Sequence, residues 1–233
     1  MLPVVLLCGG LATRMRPKTE KIPKAMLEIA NKPFIYHQLN LLKKKGVRQV
    51  IICLGHLGKM IEDYVGCGND FGLSVTYSYD GEKLLGTGGA IKKAKQHLNG
   101  PFFVLYGDSY LITDYRKVEK AYESNAKKGL MAVYKNEGRW DTSNVVFKNN
   151  EIIVYSKRNK LKEMNYIDYG IGVLSMQALG HETGDVFDLA DVYERLAEEK
   201  QLAGYEVFER FYEIGSNEGF MELTQKFEEW GEL

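Results

Sequence analysis

Residues 4–10 read Val-Val-Leu-Leu-Cys-Gly-Gly, a short apolar run that ends in two glycines. A run of this kind is typical of a buried strand followed by a tight loop. The same alternation continues along the chain, with apolar runs at 50–54, 102–106 and 130–134 and amphipathic stretches at 33–45, 59–65, 90–98 and 115–127. Strands that alternate with helices at this spacing predict an α/β fold with a Rossmann-like, doubly wound, mostly parallel sheet.

The pattern changes after residue 134. Two extended stretches, 144–147 and 152–155, flank the turn residues Asn149 and Asn150 and predict a hairpin. They are followed by a strand at 171–174, a helix at 186–199, an extended stretch at 205–213 and a helix at 217–230. We expect this part to form a small mixed β lobe that covers the crevice at the sheet edge. No linker or repeat interrupts the chain, so a single domain is predicted over 1–233, with halves 1–134 and 135–233.

The composition argues against several classes of partner. The chain has 31 basic and 31 acidic residues, so its net charge gives no electrostatic attraction to nucleic acid. The apolar start is too short for a signal sequence or a membrane span, which predicts a cytoplasmic protein without a membrane partner. The three cysteines and four histidines lack the spacing of metal ligands, and free thiols are expected at Cys8 and Cys53.

The loop after the first strand carries the strongest chemical signal. Gly9 and Gly10 let backbone N–H groups approach a phosphate, and Arg14 and Lys24 supply positive charge near them. The loop matches neither the dinucleotide-binding pattern nor the P-loop pattern. A glycine turn followed by solvated cations would produce a similar local sequence.

Four motifs in order make the chain resemble the sugar-1-phosphate nucleotidylyltransferase family. The first is Leu7-x-Gly9-Gly10-x-x-Thr13-Arg14-x-x-Pro17-x-Thr19-x-x-x-Pro23-Lys24, and the others are Leu85-Gly86-Thr87-Gly88-Gly89-Ala90, Gly107-Asp108 and Ile214-Gly215. The first motif is long and specific, and the set spans nearly the whole chain. Within the family the chain is most similar to short bacterial members that act on N-acetylmuramate 1-phosphate or heptose 1-phosphate.

The resemblance implies the transfer of a nucleoside monophosphate from UTP, GTP or CTP to a sugar 1-phosphate, assisted by Mg²⁺. It implies catalytic roles for Arg14, Lys24 and Asp108. Nucleotide binding is implied for Leu7, Gly9, Gly10, Ala12, Thr13, Arg14, Lys24, Asp80, Gly86 and Thr87. It also assigns nucleotide binding to the first half of the chain and sugar binding to the second half.

The metal ligands implied by the resemblance are Asp108 and Glu213. The family usually carries Asp where this chain has Glu213, and glycine where it has Ala12. We expect the methyl group of Ala12 to require ordinary backbone angles. Taken alone, Asp108 would suit a turn or a helix N-cap, and Glu213 an exposed position before a turn.

Sugar-phosphate binding is implied for Asn144, Lys157, Asp168 and Gly170. Lys157 equally suits a solvated charged run, and Trp140 either stacks on a sugar face or anchors its loop in the core. Two rival functions stay open: a cytidylyltransferase acting on phosphocholine or another non-sugar phosphate, and a non-catalytic binding protein of the same fold. The first rival would need an aromatic cage, and the second would be marked by loss of Arg14, Lys24 or Asp108.

Overall fold

The computed structural model of the 233-residue chain describes residues 1–180, 182 and 184–231. His181, one of the four histidines considered above, lies outside the described residues. The strands are β1 Val4–Leu7, β2 Glu28–Ile29, β3 Lys32–Pro33, β4 Gln49–Leu54, β5 Ser74–Tyr79, β6 Phe102–Tyr106, β7 Ser109–Leu111, β8 Gly129–Lys135, β9 Val145–Lys148, β10 Glu151–Tyr155, β11 Tyr166–Leu174, β12 Leu202–Val207 and β13 Phe211–Glu213. The helices are α1 Phe34–Lys44, α2 Gly58–Val65, α3 Gly86–Ala94, α4 Tyr115–Glu123, α5 Leu189–Glu198 and α6 Asn217–Trp230.

The main sheet has nine strands in the order β5-β4-β1-β6-β11-β8-β12-β10-β9. Strands β5, β4, β1 and β6 are parallel neighbours, as are β8 and β12, whereas β11 runs antiparallel to both β6 and β8. The other pairs toward the β9 edge are antiparallel. The predicted α/β class is confirmed in its coarse form, but the sheet is mixed, not mostly parallel, because β11 returns between two strands of the parallel set.

Two apolar layers cover the sheet, one on each face. Within β1, Val4 and Leu6 pack into the layer with α1, α2 and α4, while Val5 packs into the layer with α3 and α5. Successive side chains of a strand point to opposite faces, so a strand buried on both faces is continuously apolar. This explains why the run at 4–7 has no polar position.

The second half of the chain differs from the prediction in its details. The predicted hairpin is confirmed as β9 and β10, turned by Asn149 and Asn150 at φ 52° and 60°. The stretch expected to be extended over 205–213 divides into β12 in the main sheet and β13, which pairs with β7 in a separate two-stranded sheet. Helix α6 packs beside β7 and β13, with Tyr110, Ile214 and Leu223 in their shared core.

Local signals set the helix ends. Asp114 and Ser216 cap the amino ends of α4 and α6, and Asp188 forms a capping box with Asp191 at α5. Helix α1 ends in lysines before Gly46, whose φ of 89° suits a glycine. No helix among residues 1–180 and 184–231 is both long and apolar enough to cross a membrane.

Candidate active site

A cleft of about 250 Å³ lies where β1 and β6 end, at the carboxyl edge of the parallel strands. Ligands bind at this edge in open α/β sheets because loops, not strands, form the surface there. The lining comprises Leu7, Cys8, Gly9, Gly10, Ala12, Lys24, Ala25, Cys53, Asp80, Leu84, Gly86, Thr87, Ala90, Tyr106, Gly107 and Asp108. Nine of the residues predicted to bind nucleotide or metal are among them. Thr13 and Arg14 are exposed and lie outside this lining.

The glycine-rich loop adopts a strained conformation at Ala12. Its φ of 50° and ψ of 38° lie in the left-handed region, so the expectation of ordinary backbone angles was wrong. The Thr19 hydroxyl donates to the Ala12 carbonyl at 2.8 Å, and the Met15 N–H donates to the same oxygen at 3.0 Å. These two bonds hold the loop in a conformation that glycine adopts at lower cost.

Lys24 and Asp108 meet in the cleft. Lys24 Nζ lies 2.8 Å from Asp108 Oδ2, and both side chains are largely buried, at 18% and 28% exposure. Beneath them, burial and the nearby Asp108 charge raise the pKa of the Cys8 thiol to about 12, with Lys24 acting in the opposite sense. Cys8 is therefore protonated at neutral pH and is a lining residue, not a nucleophile.

Asp108, Glu213 and Arg14 converge around Gly215. A Cβ built on Gly215 would lie 2.5 Å from Glu213 Oε2, 3.2 Å from Asp108 Oδ2 and 3.4 Å from Arg14 Nη2. The Ile214 N–H donates to the Asp108 carbonyl at 2.9 Å and joins the two loops. A side chain at 215 would displace the Glu213 carboxylate and press on that of Asp108, while Arg14 would stay at contact distance.

The two carboxylates form a donor set that suits a hard divalent cation. Across the described ranges, no cluster of three or more His, Cys, Asp or Glu side chains could hold a metal ion. Water molecules, or phosphate oxygens of a bound substrate, would therefore complete the coordination, as is common for Mg²⁺. Glu213 is partly engaged within its own loop, since it accepts hydrogen bonds from the Gly215 N–H and, at 2.7 Å, from the Ser216 hydroxyl.

Asp80 lies at the opposite end of the cleft. Its carboxylate accepts the Leu85 N–H at 3.1 Å, and its carbonyl accepts Lys93 Nζ at 3.2 Å. Burial raises the pKa of Asp80, while the Leu85 hydrogen bond and the Lys93 charge oppose that shift. The hydrogen bond from Leu85 engages one of the two carboxylate oxygens of Asp80, Oδ2.

The Gly86–Gly89 segment serves the cleft and the packing of α3 together. Gly86 and Thr87 line the cleft, but the Thr87 hydroxyl is engaged with Asp188 Oδ1 at 3.1 Å and with the Leu189 N–H at 2.8 Å. A Cβ at Gly88 would meet the Phe187 ring. Gly88 therefore allows helix α3 to lie close to the segment that leads into α5.

The predicted sugar-binding residues form a group beside Tyr106. Asn144 Oδ1 accepts the Asp168 N–H at 2.9 Å, and Asp168 Oδ1 accepts the Gly170 N–H at 3.0 Å. Lys157 Nζ lies 5.4 Å from the centre of the Tyr106 ring. Burial raises the pKa of Asp168, opposed by the Gly170 hydrogen bond and the Lys157 charge. Tyr106 also lines the cleft and so joins this group to it.

Sequence reasoning missed Tyr106 as a site residue. Its position directly before Gly107 and Asp108, at the end of a predicted strand, was the available signal. Trp140, for which two roles were open, stacks against the Arg210 guanidinium at 3.4 Å from the ring centre. Trp140 is 48% exposed, so it does not anchor its loop in the core, and its contact with Arg210 lies at the surface.

Comparisons with known proteins agree with this geometry. The family described as nucleotidyl transferase matches residues 3–229. D-glycero-alpha-D-manno-heptose 1-phosphate guanylyltransferase of Campylobacter jejuni is 31% identical over 85% of this chain and 83% of its own length. The protein of that name from Aneurinibacillus thermoaerophilus is 29% identical over 94% of this chain and 91% of its own.

Solved structures share the fold. The crystal structure of HddC from Yersinia pseudotuberculosis complexed with GMP-PN has a TM-score of 0.81 and 27% identity, covering 97% of this chain and 100% of that one. A UDP-glucose pyrophosphorylase complexed with UDP-glucose has a TM-score of 0.81 at 19% identity, covering 99% of this chain and 100% of that one. The second likeness concerns the fold alone.

Proposed function

The chain belongs to the nucleotidyl transferase family, and from that premise we propose that it transfers a nucleoside monophosphate from an NTP to a sugar 1-phosphate. The observation that carries the proposal is the contact of Lys24 with Asp108 in a cleft whose wall is a glycine-rich loop, with the exposed Arg14 beside Asp108 at Gly215. A non-catalytic relative would not need to keep all three charged groups together.

The reaction is a direct displacement at phosphorus. A phosphate oxygen of the sugar 1-phosphate forms a bond to the α-phosphorus of the NTP. The bond from that phosphorus to the bridging oxygen of the β-phosphate breaks, and its electron pair leaves with pyrophosphate. The acceptor is already an anion, so no side chain has to act as a covalent nucleophile.

The side chains act by charge and position. Arg14 binds the β- and γ-phosphates with its planar fork of donors, and Lys24 stabilises charge that gathers at the α-phosphate. The backbone N–H groups of Gly9 and Gly10 support the phosphates of the donor. Asp108 and Glu213 would hold Mg²⁺, which neutralises phosphate charge when bound.

We assign the nucleotide to residues 1–134 and the sugar phosphate to residues 135–233. Asp80 is compatible with GTP, because a carboxylate can accept from guanine N1–H and N2–H, but it suits CTP equally through cytosine N4–H. The names of the two heptose relatives support GTP and a heptose-type acceptor. Asn144, Lys157, Asp168 and Gly170 would bind the sugar phosphate. We propose a cytoplasmic location for the reaction, since both substrates are phosphorylated metabolites.

Pyrophosphate release tests the proposal. Each of the four NTPs is combined with heptose, muramate, mannose and glucose 1-phosphates in Mg²⁺, with phosphocholine as a control acceptor. We expect release with GTP and a heptose-type acceptor, and a loss of about 100-fold or more for Asp108→Asn. Turnover with phosphocholine alone, or near-normal turnover of Asp108→Asn, would contradict the proposal.

A further inference from the structure

Gln38 is a buried polar residue on the apolar face of α1. It is 1% exposed, and its neighbours on that face include the fully buried Ile35, Leu39 and Leu42. Polar side chains are rarely placed so deeply unless their hydrogen bonds matter to the structure around them. The proposed chemistry makes no use of Gln38, and the sequence pattern of α1 gave it no role.

The Gln38 amide holds both ends of the loop that carries Asp108. Its Nε2 donates to the Tyr106 carbonyl at 2.9 Å and to the Ser109 carbonyl at 2.9 Å. These two carbonyls lie on either side of Gly107 and Asp108 in the sequence. One amide group therefore spans the whole loop.

The loop needs such a support because the chain changes sheets there. Strand β6 ends at Tyr106 in the main sheet, and β7 begins at Ser109 in the two-stranded sheet with β13. Sheet hydrogen bonding is interrupted at Gly107 and Asp108. The two Nε2 hydrogen atoms of Gln38 join the last residue of β6 to the first residue of β7 across that break.

The Gln38 carbonyl shows that the arrangement has a cost. Its Oε1 is buried and has no hydrogen-bond partner within the described part of the chain. A buried acceptor without a partner destabilises the folded state. An apolar side chain at 38 would avoid that cost, so the benefit of Gln38 must come from its donor side.

Gln38 and Lys24 hold different parts of the loop that carries Asp108. Backbone bonds join Gly107 to Leu7 and Asp108 to Ile214, both at 2.9 Å. Lys24 contacts the Asp108 carboxylate itself, whereas Gln38 fixes the backbone from which that carboxylate projects. Side chains that orient a metal-binding residue commonly affect metal affinity or activity by 10- to 100-fold.

We propose that Gln38 is a positioning residue that sets the orientation of Asp108 for metal binding and transfer, an inference that rests on the proposed function. The test replaces Gln38 by Met, which is similar in length and has no N–H donor. The matched control is Ile35→Val, a mild core change on the same face of α1. The two variants are compared by thermal unfolding, steady-state kinetics and Mn²⁺ binding followed by electron paramagnetic resonance without nucleotide.

For Gln38→Met we expect kcat to fall 10- to 100-fold, with the KM values for NTP and sugar phosphate within about threefold of wild type. Mn²⁺ binding should weaken by a similar factor, while Ile35→Val stays within twofold of wild type in every kinetic value. Losses in kcat and Mn²⁺ binding no larger than those of the control would show a merely structural role and overturn the proposal.

Two further outcomes are decisive. If Gln38→Met does not fold, Gln38→Asn replaces it, because it keeps the amide on a shorter side chain, and the same losses are expected. If the wild-type protein binds Mn²⁺ more tightly than Gln38→Met but releases no pyrophosphate, the proposed function is overturned. The positioning role of Gln38 in metal binding is then still supported. If the wild-type protein neither binds Mn²⁺ more tightly than Gln38→Met nor releases pyrophosphate, both the proposed function and the positioning role of Gln38 are overturned.

Discussion

Lys24 Nζ donates a hydrogen bond to Asp108 Oδ2 at 2.8 Å, although the two residues are 84 positions apart in the chain. Both belong to motifs that resemble those of the family, but nothing in their spacing indicates a direct contact. The pair places a cation on the carboxylate that we propose as a metal ligand. On the proposed function, Lys24 would compete with the metal ion for Asp108 and would also stabilise the α-phosphate of the NTP.

Replacing Lys24 by Met separates these two effects. We expect kcat to fall by about 10²- to 10³-fold, because a preorganised charge beside the reacting phosphate is lost. Mn²⁺ binding without nucleotide should tighten, because Asp108 no longer has a competing cation. Steady-state kinetics and electron paramagnetic resonance measure the two values. Lys21→Met, an exposed lysine of the same loop, is the control and should leave both unchanged. Weaker Mn²⁺ binding in Lys24→Met would argue against this competition.

Replacing Ala12 by Gly should relieve strain in the loop. A non-glycine residue in the left-handed region costs about 1 to 2 kcal/mol, part of which is offset by the greater freedom of glycine in the unfolded chain. We expect the free energy of unfolding to rise by about 0.5 to 1 kcal/mol in urea denaturation. Ala121→Gly, within helix α4, should lower it by about 1 kcal/mol. A loss of stability in Ala12→Gly would show that the methyl group makes favourable contacts that outweigh the strain.

Replacing Asp168 by Asn should stabilise the fold in a pH-dependent way. Burial raises the pKa of Asp168 above its ordinary value of 3.8, so the folded state binds this proton more tightly than the unfolded state. The contribution of Asp168 to stability is therefore full below pH 3.8 and is lost as pH rises through the folded-state pKa.

Asn carries no charge to desolvate and can still accept the Gly170 N–H. Asp168→Asn should thus gain stability over wild type at neutral pH and show no gain at the acid end of a denaturation series. If Asp168 also binds a sugar hydroxyl, the KM for the sugar phosphate should rise at pH 7. A stability difference that is constant across the pH series would contradict the assigned cause.

Replacing Asp80 by Asn should change base selection. The carboxylate would become an amide group that cannot match both guanine donors, while the Leu85 N–H keeps an acceptor. We expect kcat/KM for GTP to fall about 30-fold, the equivalent of roughly 2 kcal/mol for a hydrogen bond to a charged group. Values for UTP should change little. The control is Glu82→Gln, an exposed residue two positions away, and an equal loss for GTP and UTP would refute a role in base selection.

The sequence predicted the coarse fold and much of the cleft for a local reason. A strand buried on both faces must be continuously apolar, and the loop after it must admit a close approach, so Val4–Leu7 followed by two glycines is recognisable without a structure. Nine predicted residues line the cleft because they follow the carboxyl ends of neighbouring parallel strands.

The antiparallel return of β11 could not be predicted in the same way. Its residues are apolar and β-forming, which identifies a strand but not its neighbours or its direction. Gln38 was missed for a related reason: its partners are backbone carbonyls 68 and 71 positions away, and a carbonyl has no signature in the sequence.

The sequence by itself thus determined where the strands and helices form and which loops carry charge and glycine, because these follow from side-chain periodicity and backbone freedom. The tertiary structure alone decided that Lys24 meets Asp108, that Ala12 takes a left-handed conformation and that Gln38 spans the Asp108 loop. The Lys24 and Gln38 contacts join segments far apart in the chain, whose relative positions are fixed only when the two apolar layers pack against the sheet, whereas the Ala12 conformation is held by Met15 and Thr19 of its own loop.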